Sequence, residues 1–242
     1  ESAFTLTTSG KYVIIVTAFL GWFFGGMHMA ITSLAMGSAA EDLLVRSGFG
    51  VEREDDRVAA ANVLDEFDTD GDEQLDLKEA TAAGLTDPSG EISRESRADL
   101  IERARRSRLD AASSQWFGFY VCAFLFGAAL GGLIFGRIGD RYGRVIGMGS
   151  SILVYSAVSF VAYFVQTPEQ LWIARFVVCM GVGGMWPNGV ALMSEAWVGV
   201  SRPMLAGVIG TSANVGIFLT NLIARNFDIT VESWRWVMLM GG

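Results

Sequence analysis

The sequence predicts an all-α integral membrane protein with a small helical extramembrane insert. Long uncharged stretches lie on both sides of a charged turn at 136–144, and each exceeds the roughly 20 residues that a membrane-spanning helix needs. The segment 38–112 contains 20 of the 26 acidic and 10 of the 18 basic residues. The remainder is apolar and slightly basic, so the chain combines a membrane part with an acidic exported part.

Five uncharged stretches account for five predicted membrane helices, and a sixth helix begins at Ser233. The chain stops at Gly242, before that helix could cross about 30 Å at about 1.5 Å per residue. It also begins at Glu1 without a methionine, so we expect a fragment of a longer protein. The predicted organisation is a first membrane helix with its N-terminal lead at 1–37, the insert at 38–112, and helices two to five with the start of helix six at 113–242.

The turn at 136–144 reads GRIGDRYGR and determines the expected orientation. Three arginines in so short a connection place it on the cytoplasmic face, because short positive loops resist translocation. The first helix then runs outward from a cytoplasmic N-terminus. The insert is therefore expected on the periplasmic or extracellular side of an inner or plasma membrane.

This nonapeptide resembles the loop signature between the second and third helices of the major facilitator superfamily, a family of membrane transporters. The resemblance implies the N-terminal six-helix half of the fold, which works with a second half on the same chain or on another copy. It also implies a charge network that holds one gating state. Val145 departs from the pattern, because the family often has a second basic residue there. The implied cytoplasmic gate contains Gly136, Asp140, Arg141, Gly143 and Arg144.

Glu195 and Arg202 follow the predicted fourth membrane helix. Their spacing resembles that of the cytoplasmic Glu and Arg pair of sugar porters, which helps to close the inner gate. A plain surface ion pair, worth 0 to about 1 kcal/mol, explains the same spacing. Both interpretations stay open at the level of sequence.

Arg175 begins the segment RFVVCMGVGGMWPN, which resembles the fourth helix of the family branch that moves organic acids, sialate-type sugars and aromatic acids with protons. Cys179 replaces the first glycine of that pattern. An arginine on a spanning helix costs about 2.5–3.5 kcal/mol on insertion scales, which makes it a functional candidate. The alternative is snorkelling from the helix end to the interface. Asn188 follows Pro187, whose ring frees a backbone carbonyl, and is expected to face a cavity.

His28, the only histidine, lies in the first helix. The organic-acid branch carries Asp-Gly-x-Asp there, whereas this sequence reads GGMH at 25–28. A histidine has a reference pKa of about 6.5, so His28 can replace a carboxylate as a proton-coupling group. A hydrogen-bonded structural histidine is the rival interpretation. Asn214 shares a helical face with Thr211 and Asn221, where it lines a pathway or hydrogen-bonds helix to helix.

Residues 68–79, DTDGDEQLDLKE, match the twelve-residue calcium loop of an EF-hand. Carboxylates occupy positions 1, 3 and 5, a backbone carbonyl is available at position 7, and an acid at position 12 closes the site. Hard oxygen ligands suit a hard, large cation, so the insert is expected to bind Ca²⁺. A solvated acidic turn is the rival interpretation. The predicted ligands are Asp68, Asp70, Asp72, Gln74, Asp76 and Glu79.

The flanks of this loop, at 58–67 and 77–83, have helix-forming composition. Glu73 is a departure, because it occupies position 6, where a glycine normally makes a turn with positive φ. Gly71 stands two positions too early to replace it. The left-handed conformation costs about 1–2 kcal/mol. A second register at 85–96 lacks strong ligands at both ends, so a non-binding turn is expected there.

Two functions follow from these features. The first is secondary active transport of a small organic anion or sugar, as proton-coupled symport by alternating access, with His28, Arg175 and Asn188 near the substrate. The second is a calcium-responsive receptor or scaffold subunit on a transporter-like fold. No enzyme is expected, because the sequence shows no nucleophile with a base, no zinc cluster and no phosphate-cradling loop. The expected partners are a small-molecule substrate, a coupling ion and the lipid bilayer, without nucleic acid.

Overall fold

The structure, a computed structural model, describes residues 7–85 and 95–241. It divides into two compact units. The first, Glu1–Leu43 with Gln115–Gly242, is called the membrane unit below, and the second, Leu44–Ser114, is called the insert unit. The elements in chain order are α1 (Thr8–Arg46), α2 (Glu54–Phe67), β1 (Gln74–Leu75), α3 (Leu77–Ala82), β2 (Glu95–Ser96), α4 (Arg97–Tyr142), α5 (Arg144–Ala162), α6 (Pro168–Ala196), α7 (Arg202–Asn226) and α8 (Trp234–Met240).

Five helices of the described residues are long and apolar enough to cross a membrane, namely α1, α4, α5, α6 and α7. These are the five helices that the uncharged stretches predict. The insert unit begins after Leu43 and ends at Ser114, whereas the sequence places the insert at 38–112. The difference arises because α1 and α4 continue beyond their apolar stretches, α1 as far as Arg46 and α4 back to Arg97.

Glycines set the close helix crossings of the membrane unit. A methyl group added at Gly131 of α4 would collide with the backbone at Met180 of α6, and one at Gly183 of α6 would collide with the backbone at Ala128 of α4. Without side chains at these points, the two backbones approach closely, which is a common way for membrane helices to pack. A methyl group at Gly26 of α1 would likewise meet the backbone of α7.

Two buried apolar clusters fill the membrane unit. One contains Met148, Met185 and Met193, which come from α5 and α6. The other contains Leu43 of α1 and Trp234 of α8, together with residues of α4 and α6. The short α8 therefore contributes Trp234, Val237 and Met238 to the core of the unit.

The insert unit has a small core of its own. Leu64 of α2, Leu75 of β1, Ala80 of α3 and Leu100 of α4 are all buried. Strands β1 and β2 pair antiparallel, with Leu75 opposite Glu95. Leu75 stands at position 8 of the predicted calcium loop and is fully buried, so its side chain fixes the loop to the core of the unit.

A buried ion pair ties the start of α2 to α4 within the insert unit. Arg108 donates from Nε to Asp56 Oδ1 and from Nη2 to Asp56 Oδ2, both at 2.9 Å. Its guanidinium also donates to the carbonyl oxygens of Phe49 at 2.9 Å and Val51 at 3.0 Å. Because Asp56 is only 2% exposed, the paired charges are largely removed from water and depend on each other.

Asp56→Asn is expected to destabilise the protein at neutral pH, by about 2 kcal/mol for a lost charge-assisted hydrogen-bond set. The hydrogen bonds from Arg108 hold the pKa of the Asp56 carboxyl below its usual 3.8. The unfolded state therefore binds the proton more readily, so the ion pair stabilises the fold above about pH 4 and stops doing so as the pH falls through the folded-state pKa.

The measurement is the thermal unfolding temperature of the wild type and of Asp56→Asn from pH 7 down to pH 2. We expect the difference in unfolding temperature between the two proteins to be largest at neutral pH and to decrease below the usual pKa of about 3.9 for an aspartate. Asp55→Asn, at the exposed neighbouring position, serves as the control and should follow the wild type. A difference that is constant with pH would contradict the role assigned to the Asp56 charge.

Candidate functional site

Helices α1 and α6 bring His28 and Arg175 together inside the membrane unit. Arg175 is 1% exposed and His28 is fully buried. The Nη2 of Arg175 donates to Thr32 Oγ1 at 2.6 Å and to the carbonyl oxygen of His28 at 3.2 Å. Two of the predicted substrate or proton residues are therefore neighbours, although 147 positions separate them in the sequence.

Arg175 lies in the interior of the membrane unit, and α6 begins a full seven residues before it, at Pro168. Its hydrogen bonds point to α1. No ion pair within 4.0 Å joins it to a carboxylate of the described residues, and its Nε has no hydrogen-bond partner there. A guanidinium buried in this way retains capacity to bind an anionic group.

The ring of His28 is fixed on one side. A carbonyl oxygen can only accept, so the 2.8 Å contact between His28 Nε2 and the Gly241 oxygen means that Nε2 carries hydrogen. His28 Nδ1 is buried and has no partner among the described residues. The ring also meets Tyr155 edge to face, with ring centroids 5.5 Å apart. One ring nitrogen therefore holds α1 to the end of α8 and the other is available.

The other two predicted pathway residues lie elsewhere. Asn188 is fully buried on α6, 13 residues beyond Arg175, which is about 20 Å along a helix. Its Nδ2 donates to the carbonyl oxygens of Phe135 and Gly184, each at 2.9 Å. Asn214 is exposed on α7 and donates to the Gly210 oxygen at 3.3 Å. Neither residue is brought to the pair of His28 and Arg175.

The predicted turn at 136–144 is helical as far as Tyr142, where α4 ends, and α5 begins at Arg144. An ion cluster centred on Arg144 lies at this junction. Its Nη2 lies 2.5 Å from Asp140 Oδ1 in the last turn of α4, and its Nε lies 3.6 Å from Glu195 Oε1 at the end of α6. Gly143 separates α4 from α5 with φ of 102°, a conformation that side chains rarely adopt. The cluster therefore joins α4, α5 and α6 at one end of the membrane unit.

Not every predicted gate residue takes part in this cluster. Glu195 pairs with Arg144, whereas Arg202 at the start of α7 is exposed and has no ion pair within 4.0 Å among residues 7–85 and 95–241. The guanidinium of Arg141 lies 5.6 Å from the centre of the Tyr142 ring. Gly136 has open space beside its Cα. The described interactions thus link Asp140, Arg144 and Glu195.

The predicted calcium loop places carboxylates around one point. One oxygen from each of Asp68, Asp70 and Glu79 lies within 4.8 Å of the others. Asp68 Oδ1 accepts from Gly71 N at 2.8 Å and Asp68 Oδ2 accepts from Glu73 N at 3.0 Å. The backbone N–H groups of Gly71 and Glu73 therefore point toward the carboxylate of Asp68, and the loop folds around it.

Glu79 closes the loop from the other end. Its Oε1 accepts from Thr69 N at 2.8 Å and from the Thr69 hydroxyl, and its Oε2 accepts from Asp76 N at 3.1 Å. The hydroxyl of Thr69, and then the backbone N–H groups of Thr69 and Asp76, lower the pKa of Glu79. Asp76 is the N-cap of α3 and accepts from Lys78 N and Glu79 N. Glu79 is therefore ionised and held in place.

Asp70 and Asp72 project from the exposed part of the loop. Asp72 Oδ1 accepts from Gln74 N at 2.8 Å, and Gln74 pairs with Ser96 in the two-stranded sheet. A hydrogen bond from the Asp72 N–H lowers the pKa of Asp70, but desolvation and the nearby carboxylates of Asp72 and Glu79 outweigh it, so that the pKa is raised. The repulsion between these carboxylates is what a bound cation would relieve.

The turn at position 6 forms without a glycine. Glu73 has φ of 59°. Among the described residues, no other residue except glycine has a positive φ. Gly71, at position 4, has φ of 75°. The predicted non-binding turn at 85–96 lies outside the described residues except for Leu85 and β2.

A further ion pair of the membrane unit was not predicted from the sequence. Asp42 of α1 lies 2.5 Å from Arg235 of α8 and also accepts from Trp234 Nε1 at 3.0 Å. Arg235 donates in addition to the Val165 carbonyl oxygen at 3.0 Å. The available signal was an acid in the last turns of the first apolar helix and an arginine at the start of α8. That the two residues pair could be seen only in the folded structure, because 193 positions separate them in the sequence.

The family model described as "Major Facilitator Superfamily" matches residues 92–242. The chain belongs to the major facilitator superfamily. This membership, with five membrane-length apolar helices, establishes an integral membrane protein and agrees with the expectation that the chain is not an enzyme. It also agrees with the resemblance of the 136–144 turn, which lies inside the matched residues.

Curated relatives match about half of the chain. The chain is 32% identical over 115 residues to an inner membrane metabolite transport protein, YgcS, of Escherichia coli, covering 47% of this chain and 26% of that protein. It is 37% identical over 123 residues to hexose transporter HXT10 of Saccharomyces cerevisiae, covering 49% and 22%. It is 29% identical over 125 residues to the 4-hydroxybenzoate transporter PcaK of Acinetobacter baylyi, covering 52% and 27%.

The chain thus spans about a quarter of the length of these relatives. No solved structure matches it. The names of the relatives refer to metabolites, hexoses and a hydroxybenzoate, so they agree on small organic solutes but not on one chemical class.

Proposed function

We propose that this chain is the N-terminal half of a proton-coupled symporter for a small organic anion, and that its insert unit binds calcium. The observation that carries the transport proposal is the buried Arg175, which lies beside His28 without a carboxylate partner among the described residues. Membership of a family of transporters supplies the alternating-access scaffold. A second six-helix half, on the same chain or another copy, completes the pathway.

The charge of Arg175 favours an anion over a neutral sugar. A buried cation without a counter-ion is costly, and a substrate carboxylate compensates it through two parallel N–H···O hydrogen bonds. Thr32 already occupies one guanidinium nitrogen and orients the group toward α1. A hexose would offer hydroxyl groups but no compensating charge. The 4-hydroxybenzoate relative is consistent with the anionic class.

His28 is proposed as the proton-coupling group. Its backbone carbonyl oxygen accepts from Arg175, so the residue that carries the imidazole lies directly against the guanidinium. His28 Nδ1 has no hydrogen-bond partner among the described residues and is the nitrogen that can take up a proton. Protonation of His28 beside Arg175 adds positive charge, which strengthens binding of an anion.

The direct test is uptake of labelled organic acids and sugars by proteoliposomes that contain the full-length protein, with and without an imposed pH gradient. Uptake of an organic acid that depends on the gradient and is lost in His28→Ala supports the proposal. Uptake of sugars alone would contradict the anionic class. No flux, together with calcium-dependent association in folded protein, would favour a receptor or scaffold instead.

Orientation and gating are part of the proposal. The arginines of the 136–144 turn favour a cytoplasmic location for the cluster of Asp140, Arg144 and Glu195, which puts the N-terminus inside and the insert unit outside. In this arrangement the cluster stabilises one conformation of the cytoplasmic gate. Its three charges are partly exposed, so their strength depends on ionic strength.

Calcium binding by the insert unit is supported by the loop geometry. Asp68, Asp70 and Glu79 converge, Asp72 and Asp76 lie on the same loop, and Gln74 supplies a backbone carbonyl. Ca²⁺ would be held by these oxygens and would neutralise carboxylates that otherwise repel one another. Extracellular sites of this type bind at about 10⁻⁴–10⁻³ M. Calcium is proposed as a structural ion of the insert unit.

Glu73→Gly is expected to strengthen calcium binding about fivefold, because glycine adopts the φ of 59° at position 6 without the roughly 1 kcal/mol that a side chain pays there. The ion pair from Glu73 to Arg97, at 4.0 Å between exposed groups, contributes little. Calorimetric titration with calcium measures the change.

Gly71→Ala provides the matched opposite change. Gly71 has φ of 75° and open space beside its Cα, so that an added methyl group strains the backbone without a collision. Calcium binding is expected to weaken in this variant. Equal affinities in the wild type, Glu73→Gly and Gly71→Ala would show that the backbone at these two positions does not limit binding.

A further inference from the structure

Asn188 occupies a junction of three membrane helices. Its Nδ2 reaches from α6 to the Phe135 carbonyl oxygen of α4 at 2.9 Å, while also donating to Gly184 of its own helix at 2.9 Å. Its Oδ1 is buried and has no hydrogen-bond partner among the described residues. Both polar atoms are therefore withdrawn from water, and only the donor is satisfied.

Two glycines make room for this side chain. A methyl group on Gly147 of α5 would lie 2.7 Å from Asn188 Oδ1, and one on Gly139 of α4 would lie 2.9 Å from Asn188 Cγ. The methyl group on Gly147 would also lie 2.7 Å from the Cα of Gly139. The amide of Asn188 thus fills the space where α4 and α5 meet, beside one glycine before and one glycine after the break at Gly143.

The residues of the ion cluster lie close in sequence to these glycines and to Asn188. Asp140 follows Gly139 directly, and Arg144 precedes Gly147 by less than one helical turn. Glu195 lies seven residues beyond Asn188 on α6, which places both on one face of that helix. The relative placement of α4, α5 and α6 at Asn188 consequently sets whether Arg144 can reach both carboxylates, at 2.5 Å and 3.6 Å.

We propose that Asn188 is a positioning residue for the gate: it holds the 136–144 turn against α6 so that Arg144 pairs with Asp140 and Glu195, and it does not contact the substrate. This inference rests on the proposed transport function. It assigns Asn188 a role separate from that of Arg175, which lies about 20 Å away along α6. Removal of the Asn188 amide should therefore lower the rate of the conformational cycle and leave substrate affinity unchanged.

The test compares Asn188→Ala and Gly147→Ala in the full-length protein. Asn188→Ala removes the amide and leaves space, while Gly147→Ala disturbs the same contact from α5 without altering α6. Gly149→Ala is the control, because it adds the same methyl group to the same helix where nothing lies within 4 Å. All three variants are measured by amide hydrogen exchange and by uptake kinetics in proteoliposomes.

We expect amide exchange in the 136–147 segment to accelerate about tenfold in Asn188→Ala and Gly147→Ala but not in Gly149→Ala. The maximal uptake rate should fall about tenfold in the first two variants, with KM within about twofold of the wild type. Asn188→Asp keeps the size of the side chain but removes the amide donor to Phe135, so it should resemble Asn188→Ala.

Two results would overturn the proposal. Unchanged exchange at 136–147 in both Asn188→Ala and Gly147→Ala would show that the junction does not hold the turn. A raised KM with an unchanged maximal rate in Asn188→Ala would identify Asn188 as a substrate ligand. If the wild type transports no solute of the panel, the transport proposal fails, whereas the exchange measurement still decides whether Asn188 holds the turn.

Discussion

Arg175→Ala is expected to reduce uptake of an organic anion by at least about 30-fold, because loss of one member of a buried charge pair costs about 2–5 kcal/mol. The guanidinium is 1% exposed, and the described residues offer it no carboxylate within hydrogen-bonding or ion-pairing distance. The substrate is thus proposed as its counter-ion. The loss should appear mainly as weaker substrate binding, measured as KM for uptake and as the equilibrium dissociation constant in detergent.

Arg175→Lys and Arg225→Ala make this prediction specific. Lysine retains the charge but lacks the planar fork, so Arg175→Lys should fall between the wild type and Arg175→Ala. Arg225 is exposed at the end of α7, so Arg225→Ala should bind and transport normally. Because Arg175 also bonds to α1, gel filtration and thermal unfolding must show that each variant is folded. Folded Arg175→Ala protein with normal anion affinity would contradict the role proposed for Arg175.

Asp68→Ala and Glu79→Ala are each expected to abolish calcium binding in the millimolar range and below. Asp68 offers a carboxylate at position 1 and its oxygens organise the backbone at Gly71 and Glu73. Glu79 brings the two ends of the loop together through Thr69 and Asp76. Removal of either carboxylate therefore removes a ligand and loosens the loop that holds the others.

Isothermal calorimetry on the full-length protein measures this effect, with Glu66→Ala as the matched control. Glu66 is an exposed acid two residues before Asp68, so its removal changes the net charge without changing the loop. Glu66→Ala should bind calcium with nearly the affinity of the wild type. Unchanged calcium binding in Asp68→Ala or Glu79→Ala would show that the ion, if bound, lies elsewhere.

Much of the architecture could be predicted from local sequence. Uninterrupted apolar stretches identify membrane helices because the bilayer core leaves the backbone few alternatives to a helix. The predicted calcium loop also has local causes, since its proposed ligands and capping residues lie within twelve positions. The pairing of Asp76 with the start of α3, as a capping box, is one example of a local interaction that follows from the sequence.

Sequence patterns did not predict the contacts between helices. The pairing of Asp42 with Arg235 joins residues 193 positions apart, and neither residue forms part of a local motif. Sequence spacing suggested that Glu195 belongs with Arg202, but the end of α6 faces the start of α5, so that Arg144 is the partner. Asn188 and Arg175 share a helix, yet 13 residues of rise separate them and place them in different surroundings.

The most direct test of the central claim is the accumulation of a labelled organic anion by proteoliposomes under an inward proton gradient. The account predicts accumulation above the external concentration by the wild type, its collapse when a protonophore dissipates the gradient, and no accumulation by Arg175→Ala. Equal internal labelling in protein-containing and protein-free vesicles, for every anion and sugar of the panel and with folded protein, would contradict it.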